Sequence, residues 1–437
     1  MITRILIKGL YGLYDYDIDL KKHQSVLVLT GPNGFGKTTI LKIVHNLVSY
    51  NFWYFNLLQF SFIRIHFSEG HALDIQKNAA ISDISKLYNI QESIFTFYKE
   101  TKDSEGNKVT SLLSEFALST NYILRQIRRS SLDYRTVNSL AELDFEDYFN
   151  RNYDFYEDSA LPEASVKLTV FLRNYNSLYI KEQRLQYEKL DERYGRYLVN
   201  KYNIDKISDD LHKIFQNAQN EYVKISQQID SQFIVKILQG NKEHIPKNRF
   251  EETIKKWYEI LQAYKKYGLN MDLSLDLHSI NMERYDMYSE VLSQYLLDVG
   301  EKILGYKDLF MRLQDFQNFL NEKGLSNKKV SLNVKDGLVV TDIHGNIIPL
   351  HKLSSGEQNL IILYFYLLFK AQPEMWICLD EPEISMHVAW QESMLKDIKF
   401  IAEEYKLNVL ISTHSLDFIN EDWDDCLDLF EMSKYGR

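Results

Sequence analysis

Gly31-Pro-Asn-Gly-Phe-Gly-Lys-Thr38 satisfies every fixed position of the phosphate-binding pattern G-x-x-x-x-G-K-[ST]. Ahead of it, Ser25-Val-Leu-Val-Leu-Thr30 is a short β-branched stretch that reads as a buried strand. Behind it, Thr39-Ile-Leu-Lys-Ile-Val-His-Asn-Leu47 has helical apolar spacing. A strand, a glycine loop and a helix therefore follow in order. Such a loop turns successive backbone N–H groups, and the positive end of the following helix, toward the phosphates of a nucleotide. On this reading Asn33, Gly34, Gly36, Lys37, Thr38 and Thr39 line the cradle. Lys37 reaches the β- and γ-phosphates, and Thr38 ligates Mg²⁺.

Composition narrows the remaining classes. At 437 residues, about two or three domain-sized units are expected, and 45% hydrophobic content supports a buried core. With 51 Lys and Arg against 61 Asp and Glu, the formal charge is −10, so no global field draws in a nucleic-acid backbone. Cys378 and Cys426 form no C-x-x-C pair, which points to a reducing cytoplasm. The apolar run Leu360 to Phe369 is roughly half of what a spanning helix needs, and the N-terminus has no signal-peptide pattern. A cytoplasmic protein without membrane partners is expected.

Along the chain, Thr3 to Lys8 and Tyr14 to Leu20 read as strands. Phe60 to Phe67 and Ala72 to Gln76, around Ser-Glu-Gly, read as a hairpin. From Ile81 to Val170 the pattern predicts mostly helix, with a basic cluster of Arg125, Arg128, Arg129 and Arg135 on a solvated face. Ser177 to Ile180 reads as a strand, and beyond Lys181 to Leu185 a long helical region is predicted. Leu211, Phe215, Ala218, Tyr222, Ile225 and Ile229 step by helical intervals, as do Phe250, Ile254, Trp257, Leu261 and Tyr264, ending at Gly268 as a C-cap. Tyr288 to Leu313 continues the theme with one stutter. No Cys lies in this insert, which excludes a zinc hook. Strands return at Lys329 to Val334, Leu338 to Asp342 and Asn346 to Leu350.

The last hundred residues carry further chemistry. Met375-Trp-Ile-Cys-Leu-Asp380 is an apolar strand ending in an acid, followed by Glu381. Asp380 is placed to hold the Mg²⁺ shell, and Glu381, beyond the strand end, to polarise the attacking water. Asn408 to Thr413 is another buried strand, ending at His414, whose imidazole is placed for the γ-phosphate. Leu353-Ser-Ser-Gly-Glu-Gln358 precedes an apolar helix and supplies a second candidate anion cradle.

These motifs in this order resemble an ATP-binding-cassette ATPase, in which two heads sandwich ATP. The resemblance covers a head of residues 1–80 with the Walker A loop, a return strand near 175–185, and 326–437 with the signature, Walker B and switch histidine. Residues 81–185 then form a helical insert and 186–325 a helical or coiled-coil arm, giving an α/β fold with a mixed sheet and a long helical insertion. The resemblance implies that Glu381, His414 and Lys37 are catalytic, and that Ser354, Gly356 and Glu357 of one subunit complete the site of another. Ser355 replaces the glycine usual in the signature. Gln59 takes the position of the glutamine that senses Mg²⁺, beside Thr38 and Asp380, and Ile384 to His387 that of the dimer-contacting loop. Tyr11 stands where many relatives carry an arginine near the base.

Transporters lack so large an insertion, and chromosome-maintenance ATPases have far longer arms. The chain is most similar to compact ABC-type ATPases of bacterial anti-phage operons, such as the AriA subunits of PARIS and the PtuA subunits of Septu, on the opening Ile7-Lys-Gly-Leu-Tyr-Gly-Leu-Tyr and the Gln183-Arg-Leu segment. That resemblance implies a homo-oligomer, from a head-to-head dimer up to a hexamer. It also implies a separate nuclease or toxin effector, Toprim-type as in AriB or else HNH-type, and a phage-encoded trigger. The alternative is a DNA-engaging, repair-type clamp.

Overall fold

The computed structural model describes residues 1–22, 25–78, 91–102, 108–118, 163–182, 184–191, 197–239, 245–271, 284–323, 325, 327–420 and 422–435, with the backbone alone at 186–191, 197–202 and 434–435. Two compact units emerge: Met1–Glu182 with Ala371–Arg437, and Gln183–Lys370. The first begins with β1 (Ile2–Leu10), β2 (Tyr14–Asp19), β3 (Val26–Thr30), α1 (Lys37–Val48), α2 (Trp53–Leu57), β4 (Phe62–Phe67) and β5 (His71–Lys77). It continues with β6 (Ser93–Lys102), β7 (Lys108–Ala117), α3 (Val166–Leu172) and β8 (Ser177–Ile180). An antiparallel sheet runs β2-β1-β4-β5-β6-β7. Its strands alternate because one face is buried: Ile5 pairs with Ile65, Ile65 with Leu73, and Leu73 with Phe97. That face shares a core with Ile40, Ile43, Val44 and Leu47 of α1.

The helix predicted across 81–170 gives way at β6 and β7 to a hairpin. Ser93-Ile-Phe-Thr-Phe-Tyr is aromatic and alternating, and it extends a sheet already present, which outweighs the weak helical spacing. The basic cluster Arg125 to Arg135 lies outside the described residues. Asn56, 1% exposed, anchors the hairpin: its Nδ2 donates to the Leu118 carbonyl at 2.9 Å and its Oδ1 accepts the Ser93 N–H at 3.0 Å. Asn56→Ala strands both buried backbone groups, so a loss of about 2–4 kcal/mol of stability is expected. A chemical-denaturation midpoint equal to wild type would show that water replaces the amide.

The second unit contains β9 (Gln186–Asp191), β10 (Tyr197–Tyr202), α4 (Asn203–Leu238), α5 (Lys247–Lys266), α6 (Tyr285–Leu304), α7 (Lys307–Glu322), β11 (Lys329–Asn333), β12 (Gly337–Thr341), β13 (Ile347–Ile348) and α8 (Ser355–Phe365). The helical region thus begins at Asn203, after an antiparallel hairpin whose second strand, Tyr197-Leu-Val-Asn-Lys-Tyr202, is rich in strand formers. At 36 residues α4 is about 54 Å long, taking ~1.5 Å per residue. Lys302–Asp230 at 2.6 Å and Lys236–Asp298 at 2.8 Å set α4 antiparallel to α6. Gly268 follows α5 at φ +76°, the left-handed C-cap its position predicts. The periodic run from Tyr288 to Leu313 is two helices, broken at Gly305 and Tyr306; Tyr306 is 1% exposed and stacks on Tyr222 at 4.9 Å. β11, β12 and β13 form the expected antiparallel meander.

The chain returns to the first unit with β14 (Trp376–Asp380), α9 (Val388–Glu404), β15 (Asn408–Ser412), α10 (Leu416–Ile419), β16 (Cys426–Asp428) and α11 (Leu429–Tyr435). A parallel sheet runs β16-β3-β15-β14-β8. β3 and β14 are buried along their whole length, as strands covered on both faces must be. Asp380 pairs with Ser412, and Ser412 with Leu29, so β3, β14 and β15 end at one sheet edge. The loops after them, beginning at Gly31, Glu381 and Thr413, therefore share the place where ligands of open α/β sheets bind.

Candidate nucleotide site

The glycine loop has the backbone its sequence demands. Gly36 sits at φ +83°, and a Cβ there would lie 2.8 Å from Leu10 Cδ2. Gly36 N-caps α1 without a side-chain cap bond, which leaves the first-turn N–H groups of the helix for an anion. Tyr16 fixes the loop by donating its hydroxyl to the Phe35 carbonyl at 2.7 Å. Asn33 and Gly34 are exposed at the tip. Lys37, 5% exposed, donates to the Gly31 carbonyl at 2.8 Å and the Pro32 carbonyl at 3.3 Å, and its Nζ lies 2.7 Å from His414 Nε2. Burial lowers the Lys37 ammonium's pKa, while Glu381, Asp380, Glu383 and Asp428 oppose that shift.

Asp380 is buried and fully engaged. Its Oδ1 accepts Thr38 Oγ1 at 2.8 Å and Ser412 Oγ at 2.5 Å; its Oδ2 accepts Tyr179 at 2.7 Å. Sequence positions 38 and 380 thus meet directly. Their hard oxygens suit Mg²⁺, which is held by one or two protein ligands together with substrate phosphates. Among the described residues no group of three or more His, Cys, Asp or Glu could hold a metal unaided.

Glu381 occupies φ +45°, an uncommon conformation for a residue with a side chain, and its Oε1 lies 3.2 Å from His414 Nε2. Burial first, then Glu383, Glu182 and Asp380, push its carboxyl up to about 7, with Lys37 opposing. That places it near the operating range of a general base. Burial, and then Lys37, lower His414 below the ordinary histidine value, so its imidazole is neutral at neutral pH.

Other predicted positions fall around this centre. Thr39 Oγ1 lies 2.6 Å from the Tyr11 hydroxyl, and the Tyr11 N–H donates to the Gln59 carbonyl at 2.9 Å. Gln59 is exposed, and among the described residues its side chain has no hydrogen bond to Thr38 or Asp380. Ser354, Gly356 and Glu357 belong to the second unit. There Ser354 N-caps α8 in a capping box: Glu357 Oε2 accepts the Ser354 N–H at 2.9 Å, and Ser354 Oγ accepts the Glu357 N–H at 3.3 Å. Glu357 Oε1 also accepts Lys328 at 2.6 Å. Burial favours a neutral Glu357, but Lys328 and Ser354 outweigh it and hold the carboxyl below its usual range.

Three neighbours of this centre, Tyr179, Ser412 and Glu383, are marked by no motif in the sequence. Tyr179 lies mid-strand in β8, and nothing local links it to Asp380. Glu383, 6% exposed, accepts the Thr413 hydroxyl; its signal was only an acid just past Pro382.

A phosphate loop entering α1, with an acid pair at the end of β14, parallel to β3 in the same sheet and separated from it by β15, defines a P-loop ATPase of mixed α/β fold with a long helical insert. The chain belongs to the AAA ATPase domain family, whose profile matches residues 1–419, and is accordingly an ATP hydrolase. Among solved structures, it is similar to the SMC head bound to the C-winged-helix domain of ScpA, at 10% identity over 96% of this chain and 91% of that one, with a TM-score of 0.35. No curated protein matches. No helix among the described residues is long and apolar enough to cross a membrane.

Proposed function

We propose that this ATPase closes ATP between two copies of the chain and uses that closure to control a separate effector in anti-phage defence. Residues 1–80 and 326–437 supply the head, 81–185 an insert, and 186–325 the arm. Loop amides at Asn33, Gly34 and Gly36, with Lys37, Thr38 and Thr39, bind the phosphates. Thr38 and Asp380 would hold Mg²⁺, with Gln59 as a further candidate ligand; a bound ion would supply charge neutralisation at the phosphates. Glu381 takes a proton from the attacking water, and neutral His414 hydrogen-bonds the γ-phosphate. Ser354 and Gly356 of the second copy close the site, with Glu357 holding their helix start.

The observation that carries this reading is the duplication of anion-binding starts. The uncapped first turn of α1 belongs to one compact unit and the exposed Ser354 start of α8 to the other. One nucleotide bound by Lys37 has no need of both from a single chain. The sequence resemblance to anti-phage ATPases supplies the remainder: a homo-oligomer of two to six copies, a Toprim-type or HNH-type effector and a phage-encoded trigger.

The test is a tagged pull-down from the native operon, wild type beside Glu381→Gln, read by native mass spectrometry. A stoichiometric small nuclease or toxin, with occupancy that differs between the two forms, is expected. Recovery of a bare dimer with DNA would instead favour the repair-type clamp. A clamp neutralising several phosphates would lose affinity steeply as salt rises, and absence of DNA binding at low salt would remove that alternative.

A further inference from the structure

Glu383 is a costly residue. It is 6% exposed, burial pushes its carboxyl up, and its Oε2 has no hydrogen-bond partner. A carboxyl buried to this extent costs free energy unless surrounding donors compensate it. Its other oxygen accepts the Thr413 hydroxyl, and Thr413, 0% exposed, in turn accepts the Ser415 N–H at 3.0 Å through the same Oγ1. The N–H groups of His414 and Ser415 also face the Glu383 carboxyl and favour its charged form. Thr413 donates its own N–H to the Leu29 carbonyl at 3.1 Å, and Ser415 Oγ donates to Gln391 Oε1 at 2.7 Å.

His414 therefore sits between two residues whose side chains are both tied down. Glu383 lies two residues after Glu381, whose N–H donates to the Ser412 carbonyl at 3.0 Å. One carboxylate thus joins the turn carrying Glu381 to the turn carrying His414. We propose that Glu383 is a positioning residue for hydrolysis: through the Thr413 hydroxyl it locks the 413–415 turn, and with it His414, against Glu381. Glu383 touches neither water nor phosphate in this role. It fixes the angle at which His414 meets both.

This rests on the assignment of His414 and Glu381 to the hydrolytic site, and the experiment separates the two. Thr413→Val removes the hydroxyl at constant volume, and Glu383→Met removes the acceptor while filling the space. Each is made in the wild-type and His414→Ala backgrounds, and kcat, ATP affinity and thermal midpoint are measured. The expected result is that each variant lowers kcat by about 10- to 100-fold, as misplacement by a fraction of an ångström to 1 Å does, with ATP affinity within about threefold of wild type. In the His414→Ala background neither should lower kcat further. Thr413→Ser, which keeps the hydroxyl, should recover most of the loss. Equal losses in both backgrounds, or unchanged kcat for Thr413→Val, would overturn the inference. Full turnover in His414→Ala alone would overturn the site assignment beneath it. Should Glu383→Met melt below the assay temperature, the Thr413→Val coupling decides.

Discussion

Lys37→Ala is expected to lower ATP affinity by about 100-fold or more and to abolish turnover, while the protein stays folded. The ammonium is almost wholly buried and is held by the Gly31 and Pro32 carbonyls, so its place in the loop is set before any phosphate arrives. Four carboxylates, Glu381, Asp380, Glu383 and Asp428, act on it. Without it an anionic substrate must approach that acidic cluster with only Mg²⁺ and loop amides to compensate. A hydrogen bond to a charged group contributes about 1.5–3 kcal/mol, and two lost phosphate contacts amount to roughly 100-fold or more in affinity. The fold should survive because α1 is anchored by Ile40, Ile43, Val44 and Leu47, all 0% exposed. Titration with a fluorescent ATP analogue checks this beside a melting curve; affinity within about threefold of wild type would remove Lys37 from the phosphate site.

The parts of this site written in contiguous residues were legible. β3 and β14 are buried on both sides, so they appear as unbroken apolar runs, and the loop and acids that follow occupy fixed offsets from their ends. Contacts made only in three dimensions were not. Tyr179 and Ser412 reach Asp380 because β8 and β15 flank β14, a strand order the sequence does not state. The hairpin at Ser93–Lys102 and Lys108–Ala117 was hidden because short alternation is weak evidence until a neighbouring strand offers its edge. Gly305 and Tyr306 broke a periodicity that counting apolar steps carries straight across. Glu357 shows the converse. Its spacing from Ser354 is a capping box, so a residue read for nucleotide binding has both carboxylate oxygens engaged in holding the helix start and Lys328.

Glu381→Gln is expected to bind ATP at least as tightly as wild type, lose about 100-fold or more in turnover, and accumulate ATP-dependent dimers. Burial and the neighbouring Glu383, Glu182 and Asp380 push the Glu381 carboxyl up to about 7, so near neutral pH the protein already accommodates a sizeable uncharged fraction at this position. An amide of the same shape is therefore tolerated where it stands, at φ +45° and beside His414. Removing the charge also removes a repulsion between this side chain and the γ-phosphate, which is why affinity should hold or rise. What the amide cannot do is accept a proton from water, and in the proposed ATP sandwich hydrolysis is the step that would reopen the pair. Binding and turnover must then separate: ATP affinity retained, phosphate release lost, and dimer mass rising with ATP in light scattering. Equal turnover in Glu381→Gln and wild type would place the base elsewhere on this sheet edge. Lost turnover without an ATP-dependent dimer would keep Glu381 as the base and remove the second copy from the site.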